Sequence, residues 1–137
     1  MAPKIVTLVR HGEAEHNATR NRQLRDPSLT PLGETQCHEL WKEFPSESPV
    51  DLLVSSPLKR AIQTAVLGFK KQVESSVKVE LLAELQEASE LPCDTLSSRN
   101  MLEKGELFQG LDFSGLPDEK TSKVLFLHAQ CLAQRLC

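Results

Sequence analysis

No stretch among the 137 residues approaches the run of roughly 18 apolar residues that a membrane helix needs. The N-terminus also lacks a charged start followed by a long apolar centre, so no secretory signal is expected and the chain is read as cytoplasmic. Basic excess is missing too. A net charge of -3 and a pI near 5.8 argue against nucleic acid or an anionic membrane surface as the main partner, and any basic site must be local. The cysteines, Cys37, Cys93, Cys131 and Cys137, form no CxxC pair, and a cytosolic chain keeps such thiols reduced. Among the histidines, four residues separate His11 from His16 where HExxH has about three, so no metal site is expected. There is no internal repeat, linker or low-complexity tract. What is left, 39% of it hydrophobic, suffices for one domain with its own core and not for two.

What is there begins with Ile5-Val6-Thr7-Leu8-Val9, an apolar run without alternation that ends in Arg10-His11-Gly12-Glu13. Such a run predicts a strand buried on both faces, as in a parallel sheet, with the glycine marking the turn out of it. Arg10 and His11 then sit at the carboxyl rim, where open α/β sheets bind ligands, and form a candidate anion site.

Residues 13–28 are polar, carry Arg20, Arg22 and Arg25, and show no apolar period. A loop or irregular helix is expected, more plausibly solvated than substrate-binding. Thr30-Pro31 opens a helix by cap and first-turn proline, and Cys37, Leu40, Trp41 and Phe44 give it one apolar stripe. Pro45 and Pro49 close it. Residues 51–54 predict a short buried strand. Ser55-Ser56-Pro57 repeats the cap-then-proline signal, and Leu58, Ile62, Val66 and Phe69 form the next helix's inward stripe. Arg60 falls in that helix's first turn, off the stripe, where backbone amides and the dipole favour an anion. Val77, Val79 and Leu81 alternate with Lys78 and Glu80 as a third strand, nearer the sheet edge, leading to Leu85-Gln86-Glu87. Residues 88–123 are broken by glycines and prolines, with a helix tolerated only over 100–107, which marks a functional lid or a poorly ordered span. Residues 124–127 are a last strand candidate ending in His128, and Ala129, Leu132, Ala133 and Leu136 fit a short terminal helix.

Three elements thus aim Arg10, His11 and Arg60 at one rim, with Glu87 close by, and this set suits phosphoryl transfer. A transferring phosphoryl group spreads negative charge over its equatorial oxygens, and the arginine fork matches that geometry. A neutral imidazole at His11 can attack phosphorus to give a phosphohistidine. The leaving alcohol needs a proton, and Glu87 is the candidate donor if partial burial or a neighbouring anion such as the substrate phosphate keeps it protonated. Taken singly, each residue has a bland alternative: a structural histidine, a solvated arginine, a surface glutamate.

Resemblance ties them together. Leu8-Val9-Arg10-His11-Gly12-Glu13 with Asn17 resembles the RHG signature of the histidine phosphatase superfamily, the phosphoglycerate mutase-like fold. Asp26-Pro27-Ser28-Leu29-Thr30-Pro31-Leu32-Gly33, the segment from Ser55 through Arg60 and Thr64 to Ala65, and Leu85-Gln86-Glu87 are similar to its later motifs, in order, over roughly residues 4–95. The resemblance implies an α/β three-layer sandwich with a mostly parallel sheet, one domain over 1–137, and no cofactor. It implies His11 as nucleophile, Arg10 and Arg60 as phosphate ligands, Glu87 as proton donor and Asn17 in the pocket. Cys93-Asp94-Thr95 and the segment Asp112 to Pro117 look more like small fungal and plant phosphatases than glycolytic mutases. Hydrolysis of a small phosphate monoester is therefore preferred. Mutase-type transfer and a catalytically weak phosphate-binding fragment are the alternatives.

The family's second pocket histidine follows a late strand and precedes glycines. Here only His128 stands after such a strand, with Ala129-Gln130 in place of the glycines. Either His128 is a compressed version of that histidine, or the chain is truncated or divergent from about residue 123 and its sheet incomplete. Truncation is preferred. The sequence does not speak to the identity of the ester or to oligomeric state.

Overall fold

The computed structural model describes residues 5–44 and 49–116. The expected last strand, the terminal helix, His128, Cys131 and Cys137 lie outside them. In order, the described elements are α1 (Glu15–Thr19), α2 (Pro31–Glu43), β1 (Leu53–Ser55), α3 (Lys59–Gly68), α4 (Lys70–Glu74), β2 (Val79–Leu81) and α5 (Arg99–Glu103). Short 3₁₀ turns cover Ala83–Leu85, Pro92–Asp94 and Glu106–Phe108. Among these residues no helix is long and apolar enough to cross a membrane.

β1 and β2 pair in parallel, Leu53 opposite Val79 and Ser55 opposite Leu81, so α3 and α4 form the crossover of a βαβ unit. The class is α/β. Leu53, Val79 and Leu81 turn their side chains into a core completed by Ile62 and Phe69 from the crossover and by Leu102, Phe108, Phe113 and Leu116 from the irregular span. That span is thus part of the core rather than a detached lid. Its apolar residues are spaced by turns instead of a helical period, which is why periodicity does not reveal them.

Helix α2 starts as its sequence dictates. Thr30 Oγ1 accepts from the Gly33 amide at 3.1 Å, and Pro31 takes the first helical position. Its end is also local: Phe44 is extended (φ -67°, ψ 126°), the conformation forced on a residue that precedes proline. The helix packs on α3, with Phe44 edge-on to Phe69 at 5.0 Å between ring centroids. Gly68 lies at this seam, where a Cβ would sit 2.9 Å from the movable end of Leu40 and 3.7 Å from Cys37 O.

Two expectations need correction. Residues 5–10 form no strand: they carry no regular secondary structure and are exposed, Ile5 at 87% and Leu8 at 92%. An apolar run becomes a strand only where another backbone offers ladder partners, and among the described residues none pairs with it. Helix α3 is also not capped by Ser55 or Ser56. Its N-cap is Leu58, without a side-chain cap, and the buried Asp26 supplies the missing acceptor from 33 positions away, Oδ1 taking the Lys59 amide at 2.9 Å. One of the amides expected to attract a substrate anion is therefore already used inside the protein.

Candidate active site

Residues 11–14 leave the exposed N-terminal segment and run against the start of α2. Ala14 bridges Leu29 in antiparallel fashion, and the Thr30 amide donates to Glu13 O at 2.9 Å. The approach is close enough to demand glycine on both sides. A Cβ on Gly12 would sit 2.7 Å from Gly33 O, and one on Gly33 only 2.1 Å from Glu13 O. A third tie comes from α3: the Gly12 amide donates to Thr64 Oγ1 at 3.1 Å, and that hydroxyl donates to Arg60 O at 2.7 Å. The loop bearing His11 is thus fixed to two helices.

His11 is half-buried, and its partners define its tautomer. Nδ1 lies 2.7 Å from Gly12 O, which can only accept, and Nε2 lies 3.2 Å from Arg60 Nε, which can only donate. The proton therefore sits on Nδ1 and the lone pair on Nε2. Burial lowers the His11 pKa from its ordinary 6.5, and the positive charges of Arg60 and Arg10 lower it further. The Gly12 carbonyl and the Glu87 carboxylate oppose this and do not overcome it. The imidazole is neutral at neutral pH, the state a nucleophile requires.

Arg60 is the most enclosed charge of the group, 2% exposed. Its Nη1 donates to Cys93 O at 2.7 Å and its Nη2 to Asp94 Oδ1 at 2.9 Å, while Nε faces His11. A buried guanidinium without such partners would be strongly unfavourable. The turn at Pro92–Asp94 that provides them is docked in turn, the Cys93 amide donating to Arg22 O and the Asp26 amide to Pro92 O.

Of the residues singled out by sequence, His11 and Arg60 are in direct contact. Arg10 and Glu87 are exposed, and both reach His11 through their charge. Asn17 is exposed at α1, where its Oδ1 accepts from the Ala14 amide at 3.0 Å and its Nδ2 faces His16 Nε2 at 3.2 Å. Arg20, Arg22 and Arg25 are exposed, and Arg25 Nη2 donates to Leu96 O. His128 lies outside the described residues.

Three residues that the sequence reading gave no role in the site stand here. Asp94 pairs with Arg60. Asp26 holds the start of α3 with one oxygen and the Ser97 amide with the other, at 2.9 Å each. The His16 ring lies 6.3 Å from that of His11, tilted by 47°, and its Nδ1 is buried without a hydrogen-bond partner among the described residues. Burial lowers the His16 pKa, with Arg60 and His11 adding to the effect and Asp94 opposing it. No local pattern announces such residues, because their partners are up to 71 positions away.

The family model of the histidine phosphatase superfamily (branch 1) matches residues 6–124. The chain belongs to that superfamily. Among its relatives in this superfamily, a Schizosaccharomyces pombe protein named as a probable phosphatase is 30% identical over 120 residues, 85% of this chain and 55% of that protein. A broad-specificity phosphatase of Saccharomyces cerevisiae is 35% identical over 82 residues, 58% of this chain and 36% of that one. A solved mycobacterial glucosyl-3-phosphoglycerate phosphatase with VO3 is 29% identical, with a TM-score of 0.45, covering 56% of this chain and 35% of that one. The chain thus spans about half the length, or less, of these superfamily members.

Proposed function

We propose that this member of the superfamily hydrolyses a small phosphate monoester through a phosphohistidine on His11. The observation that carries the reading is the contact of His11 Nε2 with the buried Arg60 guanidinium at 3.2 Å, which brings a candidate nucleophile and a phosphate-binding fork to one place. In the first step Nε2 attacks phosphorus, a P–N bond forms, and the P–O bond to the alcohol breaks. Glu87 gives the departing oxygen its proton. In the second step water attacks the phosphohistidine, Glu87 takes a proton from that water, and inorganic phosphate leaves with His11 restored. Glu87 is exposed, open to the incoming ester and to water.

Arg10 and Arg60 would hold the equatorial oxygens, with Asn17 at the pocket rim and His128 as the candidate second histidine. The same reading takes residues 1–137 as one domain of a three-layer sandwich, acting in the cytoplasm on a small phosphorylated substrate without a cofactor. Relatives named as phosphatases support phosphatase chemistry, and mutase-type transfer is the alternative that relatives named phosphoglycerate mutase-like keep in view.

The test is turnover of p-nitrophenyl phosphate by the full chain and by His11→Ala. Removing a covalent nucleophile is expected to lower kcat on the order of 10⁴-fold or more. Phosphate label should be trapped on the wild type in an acid-labile, base-stable form and not on the variant. Turnover that survives the substitution would sink the reading.

A further inference from the structure

We propose that Asp94 is a positioning residue for Arg60. The inference rests on the phosphate-binding role given to Arg60 above, and it adds a device that lets the guanidinium release His11 without leaving the site. Arginine carries five N–H donors in one rigid plane. Three are engaged among the described residues: Nε with His11 Nε2, Nη1 with Cys93 O and Nη2 with Asp94 Oδ1. By that count one N–H on each terminal nitrogen is left for another acceptor.

The contact at Nε poses a chemical difficulty. A lone pair that accepts a hydrogen bond is not available for attack on phosphorus. His11 becomes a nucleophile only when the Nε proton finds another acceptor, and an incoming phosphate oxygen is the natural one. If the guanidinium were held by Nε alone, this exchange would set the whole side chain loose. Anchors at Nη1 and Nη2 instead fix the plane, so that Nε–H passes from His11 to phosphate while the fork stays in place. One anchor is a backbone carbonyl. The other is Asp94, whose Oδ1 accepts from Nη2 at 2.9 Å.

Asp94 is itself held. Ser89 Oγ donates to Oδ2 at 2.5 Å, and the Asp94 amide donates to Leu91 O at 2.9 Å. Asp26 joins the two sides of the arrangement, since its oxygens take the Lys59 amide beside Arg60 and the Ser97 amide just after the turn. The distance between guanidinium and carboxylate is therefore set by the scaffold rather than by two free side chains.

The experiment compares Asp94→Ala and Asp94→Asn in the full chain. Its readouts are inorganic phosphate affinity by titration calorimetry, kcat and KM on p-nitrophenyl phosphate, and the thermal midpoint. The asparagine carbonyl still accepts from Nη2, and the Ser89 hydroxyl can turn to accept from the new amide. Misplacing a catalytic group by about an ångström costs about 10²-fold, so Asp94→Ala should lose about that factor in kcat/KM and bind phosphate correspondingly worse. Asp94→Asn should recover both to within a few fold. A purely structural role would lower the two variants in step with their thermal midpoints. Phosphate affinity and kcat/KM unchanged in Asp94→Ala, or equally reduced in Asp94→Asn, would overturn the proposal, as would a wild type that binds no phosphate. Should Asp94→Ala not fold, Ser89→Ala loosens the same carboxylate from an exposed position: a several-fold loss of phosphate affinity is expected, and none overturns it. A wild type that binds phosphate but shows no His11-dependent turnover defeats the proposed reaction alone, and the affinity comparison still decides the role of Asp94.

Discussion

Arg10 and Arg60 are the same residue type and were assigned the same task, yet the fold treats them in opposite ways. Arg10 ends an exposed segment without regular structure, whereas Arg60 lies 2% exposed in a helix with hydrogen bonds on all three nitrogens. The difference shows what preorganisation consists of here. Reaching the neighbourhood of His11 takes only a short tether, but fixing a guanidinium plane takes acceptors supplied by other parts of the chain. Arg60 has them from residues 11, 93 and 94, and Arg10 acts on His11 through its charge.

The strongest way to break this contrast is to remove each arginine. Arg60→Ala leaves the Asp94 carboxylate facing an emptied, enclosed space. Breaking a buried pair costs about 3–5 kcal/mol, and loss of a transition-state ligand costs on the order of 10² to 10³ in kcat. Both stability and turnover are expected to fall. Arg10→Ala should lower turnover while leaving the urea midpoint nearly unchanged, because exposed substitutions away from special features stay within about 0.5 kcal/mol. Equal loss of stability in the two variants would show that Arg10 is not the loose member of the pair.

That asymmetry also marks how far the sequence could be read. Helix α2 follows from apolar period and cap chemistry, α3 and the strands β1 and β2 from apolar pattern, and the meeting of His11 with Arg60 from motif order, all of which are local or ordered along the chain. The first strand did not follow, because pairing is a property of two segments and an apolar run states only one of them. The capping of α3 by Asp26 and the anchoring of Arg60 by Asp94 were illegible for a related reason. A carboxylate in a loop looks the same in sequence whether it meets solvent or a buried donor. Asp94 stood in a phrase noted only for its likeness to other phosphatases, and its contact with Arg60 supplies the physical content of that phrase.

A smaller effect probes the floor beneath His11. Gly33→Ala places a methyl group 2.1 Å from Glu13 O, and backbone on both sides leaves little room to yield. Overpacking of this kind costs about 1–3 kcal/mol. Since the displaced loop carries His11, turnover should fall along with the thermal midpoint, whereas Gly115→Ala, which meets nothing within 4 Å, should change neither. Unaltered stability in Gly33→Ala would mean that the loop is held less firmly than its hydrogen bonds indicate.

The mildest test uses protons. Burial first, then the charges of Arg60 and Arg10, lower the His11 pKa, so the fold favours the neutral ring. Between that lowered value and 6.5, the unfolded chain binds more protons than the native one, and the stability slope with pH is positive there. Stability contributed by His11 is therefore present above about 6.5 and lost as pH falls below it, levelling off once the folded ring is also protonated. His16, lowered by burial and by the same arginine, acts with the same sign. Urea midpoints for the wild type should decline on acidification through this window, and His11→Asn, which cannot titrate, should decline less. The acid limb of kcat/KM should likewise fall below pH 6.5, since attack needs the unprotonated Nε2. Arg60→Ala removes one of the charges responsible and should move that limb upward, toward 6.5, by more than Arg10→Ala does, because the Arg60 contribution is the larger of the two. A limb displaced equally by both substitutions would place the two cations at equal electrostatic distance from His11 and dissolve the distinction between them.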